Sequence, residues 1–127
     1  VTCILSAEAR EAYGRHRAEI AGLLDERYYP LEWVETAICE GRIALLHNDG
    51  AVLGVERRHY PGGASELHAM FAAGTLSSVL ELCDQACEAG KLAGLDCAAV
   101  ESRGGWEKAL RSRGFVRDRV RLVKGLN

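Results

Sequence analysis

The side chains able to do chemistry in this chain are few. Its 127 residues hold five cysteines and four histidines, and the arginines thicken toward the end. Cys83 and Cys87 stand four apart in a segment of helical spacing and so share a face. Two thiols on one face are half a zinc site. No His or Cys follows at zinc spacing, so the reading adopted is two small buried hydrophobes, with no metal site. Cys3, Cys39 and Cys97 complete an odd set without a Cys-x-x-Cys pair. No disulfide framework is expected, and the thiols are expected to be reduced, in an intracellular setting. His47, His59, Glu66 and His68 fall on predicted strands. Arg117, Arg119 and Arg121 alternate along a predicted last strand. Such a row suits phosphates, the chain's own acids, an acidic neighbour or water.

These residues need a frame, and the composition supplies one. The chain is 48% hydrophobic, 27% charged and 6% aromatic, with two prolines. That is enough apolar material for a buried core, at a length that fits one domain over residues 1–127. Disorder and a Pro-rich linker are excluded. The start, Val1-Thr2-Cys3-Ile4-Leu5-Ser6, has no basic run followed by an apolar stretch, so no secretory signal is expected, and no run is long enough for a membrane span. The net charge of −2 conceals an asymmetry: residues 1–100 carry 15 acids and 8 bases, residues 101–127 carry 3 acids and 8 bases.

Periodicity predicts a helix from Ser6 to about Arg27, capped by Ser6, with Tyr13, Ile20 and Leu24 along one face. Pro30 opens a second helix, Leu31 to Glu40, which Gly41 ends. Ile43–His47, Ala51–Tyr60 and Glu66–Ala72 alternate as strands around the turns Asn48-Asp49-Gly50 and Pro61-Gly62-Gly63, giving an antiparallel meander. In the third strand Leu67, Ala69 and Phe71 are expected to point one way, and His68 and Met70 the other. A helix opens at Gly74-Thr75 with Leu76, Val79, Leu80, Cys83, Ala86 and Cys87 inward. Leu95–Glu101 follows as a strand, parallel to the third through a right-handed crossover. The loop Arg103-Gly104-Gly105, a short helix Trp106–Arg113 and a closing strand Val116–Val123 complete a mixed α/β fold. Trp106 is expected in the core. Trp33, with Tyr28 and Tyr29 near it, is expected to be partly exposed and suited to a protein contact.

This order resembles the GNAT fold, the acetyl-CoA-dependent N-acetyltransferase superfamily, over about residues 7–124, with Thr2–Leu5 as all that is available for its usual first strand. The stretch Val100-Glu101-Ser102-Arg103-Gly104-Gly105-Trp106-Glu107-Lys108-Ala109-Leu110, followed by Gly114-Phe115, looks like the C-terminal motif of GNAT-like proteins of tailed bacteriophages. The resemblance implies acetyl-CoA held at Phe71, Ala72, Ala73, Gly74, Thr75 and Leu76, where backbone N–H groups and the helix dipole would meet its pyrophosphate. This segment departs from the family signature, having one glycine and no Gln or Arg. Arg111 on the short helix would flank the same cleft as part of a basic rim. The resemblance makes Glu66 and His68 the candidate base for an incoming amine. Many members place an acidic Tyr on the short helix. Here Leu110 stands at that point, and all four tyrosines (Tyr13, Tyr28, Tyr29, Tyr60) lie in the first half. The expectation is therefore a degenerate GNAT-like domain of phage type that binds another protein, a virion component or itself rather than nucleic acid or membrane. It would sit in the host cytoplasm or the virion. The alternative is an active N-acetyltransferase.

Overall fold

A computed structural model describes residues 3–102 and 104–127. Helix α1 is Ala7–Leu23, and the Ser6 hydroxyl accepts from the Ala9 N–H at 3.1 Å, as the cap requires. It stops short of Arg27 because Leu24 turns extended. The Asp25 carbonyl and carboxylate then draw in the N–H groups of Tyr28, Tyr29 and Arg27. Pro30 leads into α2, Leu31–Cys39, and Gly41 ends it at φ 82°, a left-handed turn that favours glycine.

The meander is β1 (Ala44–His47), β2 (Ala51–His59) and β3 (Ser65–Gly74). Helix α3 (Leu76–Leu92) crosses to β4 (Cys97–Val100), which lies parallel to β3, so the sheet order is β1-β2-β3-β4. A 3-10 turn, Gly104–Trp106, leads into α4, Glu107–Arg111. Helices α1 and α2 cover one face of the sheet and α3 the other. On the first face Tyr13, Ile20, Val34 and Ile38 pack with Val52 and Phe71; on the second, Val79, Leu82 and Ala86 pack with Leu53, Val55 and Leu67. Trp106 packs half-buried against the second cluster, as expected, while Leu76 is exposed and Leu82 takes the inward place.

Four expectations are corrected. First, residues 115–127 form no strand. Val116, Val120, Leu122 and Val123 stay exposed, while Arg117 and Arg119 pair with acids and Arg121 lies over the Tyr28 ring. The alternation was strand-like, but no apolar sheet face meets it. Second, residues 3–6 add no strand, and Thr2 and Arg103 lie outside the described residues. Third, Cys3 and Cys39 form a disulfide beside a backbone bond from Ile4 N–H to the Cys39 carbonyl, against the expectation of reduced thiols. Fourth, Phe71 does not share a face with Leu67 and Ala69. Gly54 pairs with Phe71 but Val55 pairs with Ala69, so Met70 is an extra residue, a bulge that switches the facing of the strand. Gly54 permits this, since a Cβ there would strike the Phe71 ring.

Candidate functional site

The bulge divides β3 into two halves with different surroundings. The first half, through Ala69, has strands on both sides: Glu66–Ala69 pair with Cys97–Val100, and β2 runs along the other edge. Asp96 locks its start, accepting from the Ser65 N–H at 2.8 Å and the Ser65 hydroxyl at 3.2 Å. This half brings the two predicted base residues together. His68 Nδ1 lies 2.9 Å from Glu66 Oε2, and the side chains are only 8% and 15% exposed.

Cross-strand pairing sets Glu56 opposite His68 and Arg58 opposite Glu66, on the same sheet face. Arg58 Nε donates to Glu56 at 2.9 Å, and its Nη2 reaches the Tyr29 hydroxyl at 3.5 Å. Burial works against the Arg58 charge, but its bonds to Glu56 and Tyr60 outweigh that and hold its pKa up. The sequence reading missed Glu56 and Arg58. They are visible only once the antiparallel register is fixed, because their own strand offers no chemical signature. A carboxylate on Nδ1 fixes the imidazole and, with that nitrogen carrying the proton, leaves Nε2 as an acceptor able to take a proton from an amine.

The second half, Met70–Gly74, keeps β2 on one side but has no β4 partner on the other. It runs to the N-terminus of α3. Gly74 sits at φ 121°, and a Cβ there would collide with the Gly50 carbonyl oxygen and with Ala51. Its glycine is thus required by β2. The Thr75 N–H is taken by the Gly50 carbonyl at 3.1 Å, and the Gly74 N–H points to Glu19 Oε1 at 3.3 Å. The Asn48-Asp49-Gly50 turn forms as predicted, although none of its residues takes a positive φ. Gly50 is needed because a Cβ would meet Ser78, and Asn48 Nδ2 donates to the Ser78 carbonyl at 3.0 Å.

The helix begins its own bonding with Val79 N–H to the Thr75 carbonyl, so the N–H groups of Leu76, Ser77 and Ser78 precede the helical ladder. Thr75, Leu76 and Ser77 are exposed there. Phe71 and Ala73, among the predicted cofactor residues, are buried in the α1–α2 core and can contribute backbone only. The segment therefore offers the backbone donors of Leu76 and Ser77, with no basic side chain hydrogen-bonded there among the described residues. Arg111 is held elsewhere, by Glu107 at 3.2 Å on its own helix, and Arg113 pairs with Asp84. Leu110, where an acidic Tyr was looked for, is buried.

Outside this region, burial raises the Cys83 and Cys87 thiols above the usual range, helped by neighbouring charge. No group of three His, Cys, Asp or Glu side chains among the described residues could hold a metal ion. No helix among them is long and apolar enough to cross a membrane.

The mixed four-stranded sheet with its helices matches the fold of solved GNAT acetyltransferases. An acetyltransferase of Trypanosoma brucei superposes with a TM-score of 0.66 at 13% identity, covering 91% of this chain and 94% of its own. A predicted acetyltransferase of Clostridium acetobutylicum, solved with acetyl-CoA, gives 0.64 at 8% identity, covering 94% and 90%. Glucosamine-6-phosphate N-acetyltransferase of Arabidopsis thaliana gives 0.59 at 12%, covering 97% and 95%. No protein-family model and no curated protein matches the sequence. The likeness is one of fold.

Proposed function

We propose that this domain binds acetyl-CoA and passes its acetyl group to an amine. The observation that carries the reading is the end of β4 at Val100, opposite Ala69, which leaves Met70–Gly74 of β3 as a backbone edge on that side, leading to the α3 N-terminus. A second support is the Glu66–His68 contact, in the adjoining half of the same strand. In this reading the Leu76 and Ser77 N–H groups hold the pyrophosphate, with the helix dipole behind them. Bound acetyl-CoA supplies the activated acyl group. The chain's own part is to hold the acceptor beside β3 and to take the amine proton at His68 Nε2, with Glu66 stabilising the imidazolium that forms. Calorimetry with acetyl-CoA tests the reading. Micromolar binding is expected, and no heat at millimolar ligand overturns it.

A second reading is favoured by one contact, the Glu19 carboxylate on the Gly74 N–H, which places negative charge where phosphates would approach. Under it the domain is degenerate and acts by binding a protein or a second copy. The phage and virion setting belongs to this reading and rests on the motif from Val100 to Phe115. An intact fold that binds no acetyl-CoA, with a partner recovered in a phage particle, would support it.

A further inference from the structure

The sheet ends at β4, and β4 is bare on its outer side. Beyond the ladder to β3, Cys97–Val100 make no backbone–backbone hydrogen bond among the described residues. Cys97 is exposed, Ala98, Ala99 and Val100 are half-buried, and none of them joins either core cluster. The opposite edge, β1, is better covered, since Leu45 packs with the α1–α2 cluster and Leu46 with the α3 cluster. An uncovered edge is a template for another strand. Acids stand around this one. Asp96 and Glu101 flank β4 in the chain, and Glu66 pairs with Cys97. Burial and the charges of Glu66, Asp96 and Asp118 push the Cys97 thiol up.

The chain also carries an unpaired segment that matches the edge. Residues 116–127 make no backbone–backbone hydrogen bond among the described residues. Val116, Val120 and Leu122 share one parity and are 83%, 64% and 89% exposed. Arg117, Arg119 and Arg121 hold the other parity. In the single chain these arginines are held at the surface by Glu107, the adjoining Asp118 and the Tyr28 ring. Surface pairs of this kind are weak and readily exchanged. Of the charges on this segment it is the Asp118 carboxylate, not a guanidinium, that acts on Cys97 in the single chain. The acids along β4 are thus left without the complement that the arginines could give.

We infer that residues 116–123 of one chain add as a strand to the β4 edge of a second copy, each copy giving one strand and receiving one. Cys97 stands opposite Glu66 and Ala98 opposite Leu67, so the two sides of β4 differ. On the Leu67 side, Val116, Val120 and Leu122 extend the apolar surface of Ala98 and Val100. On the Glu66 side, the arginines meet Glu66 and Glu101. A two-fold pair closes both β4 edges at once, so growth stops at two chains there. The exchange does not depend on whether acetyl-CoA binds.

The test is sedimentation equilibrium of the full chain, with carbodiimide cross-linking of a mixture of ordinary and isotopically heavy protein. A dimer with a micromolar Kd is expected. Cross-links from Lys124 to Asp96 or Glu101 are expected to join light chains to heavy ones. Val120→Pro removes a ladder donor at a position that makes no backbone bond in the single chain, and should weaken the dimer at least about tenfold. Unfolding of the dilute, monomeric variant should match the parent, which separates lost pairing from lost folding. Arg119→Glu should weaken the dimer about tenfold at low salt and less at high salt. The proposal is overturned if the chain stays monomeric at millimolar concentration, or if Val120→Pro associates as the parent does. It is equally overturned if the cross-links join only residues of one chain, since the segment then closes on its own β4.

Discussion

The two halves of β3 differ both in residue type and in what flanks them. From Ser65 to Ala69 the strand is flanked on both sides, clamped by Asp96, and offers side chains, the Glu66–His68 pair. From Met70 to Gly74 it is flanked on one side only and offers backbone. A sheet interior can hold a buried imidazole–carboxylate pair because paired neighbours fix both rotamers. A ligand that lies along main-chain donors needs the reverse, an edge from which a strand has been withheld. One extra residue, Met70, accompanies the change from one condition to the other. The contrast teaches that a bulge can divide a single strand into a half paired on both sides and a half with one open edge.

The contrast can be broken most forcefully at Phe71, the first residue after the bulge. Its ring is 7% exposed and lies edge-on to Tyr13, 6.4 Å between centroids. Phe71→Ala is expected to cost about 4 kcal/mol of unfolding free energy in urea titration, the usual loss for a buried aromatic. A cost below about 1 kcal/mol would show that the facing switch is not anchored there. Next is Gly74→Ala at the far end of the open half. The added methyl meets the backbone of Gly50 and Ala51 at a φ that side chains rarely adopt, so a loss of about 3 kcal/mol is expected.

In the paired half, Glu66→Gln should leave the melting temperature nearly unchanged, since the amide oxygen still accepts from His68. It should lower acetyl transfer about 100-fold, because the imidazolium loses its counter-charge. An unchanged rate would remove the pair from the chemistry while leaving acetyl-CoA binding to be judged separately. Asp96→Ala strips two bonds from Ser65 and should cost about 2 kcal/mol in the same titration.

Much of this was legible from residue types alone. Ser6 as a cap, Pro30 and Gly41 around α2, the turn at Asn48-Asp49-Gly50 and the crossover from β3 to β4 are local or pairwise signals. Glu66 and His68 were legible as neighbours because a strand has period two. Three things were not. The bulge depends on Gly54 on a different strand making room for Phe71. The Cys3–Cys39 bond joins residues that carry no spacing motif. The strand expected at Val116–Val123 has the right alternation, but whether it pairs depends on a partner surface that its own sequence does not encode. Glu56 and Arg58 belong to the same class of miss, since they join the site only through cross-strand register.

The finest test of the contrast lies where the open half meets α3. The Glu19 carboxylate, half-exposed, accepts from the Gly74 N–H, two residues before Leu76 in the chain. Glu19→Gln preserves an oxygen for that N–H and removes only the charge, so stability should scarcely move. If the open half receives a pyrophosphate, deleting a nearby negative charge should tighten acetyl-CoA about threefold at low ionic strength, with the gain fading at high salt as screening shortens the interaction. An affinity that ignores the substitution at every salt concentration would mean that phosphates do not approach this end of β3. The open edge of β3 would then be a structural remnant, and the binding-only reading would be the stronger one. A threefold change is small, but only electrostatics at this one helix terminus predicts both its sign and its disappearance with salt.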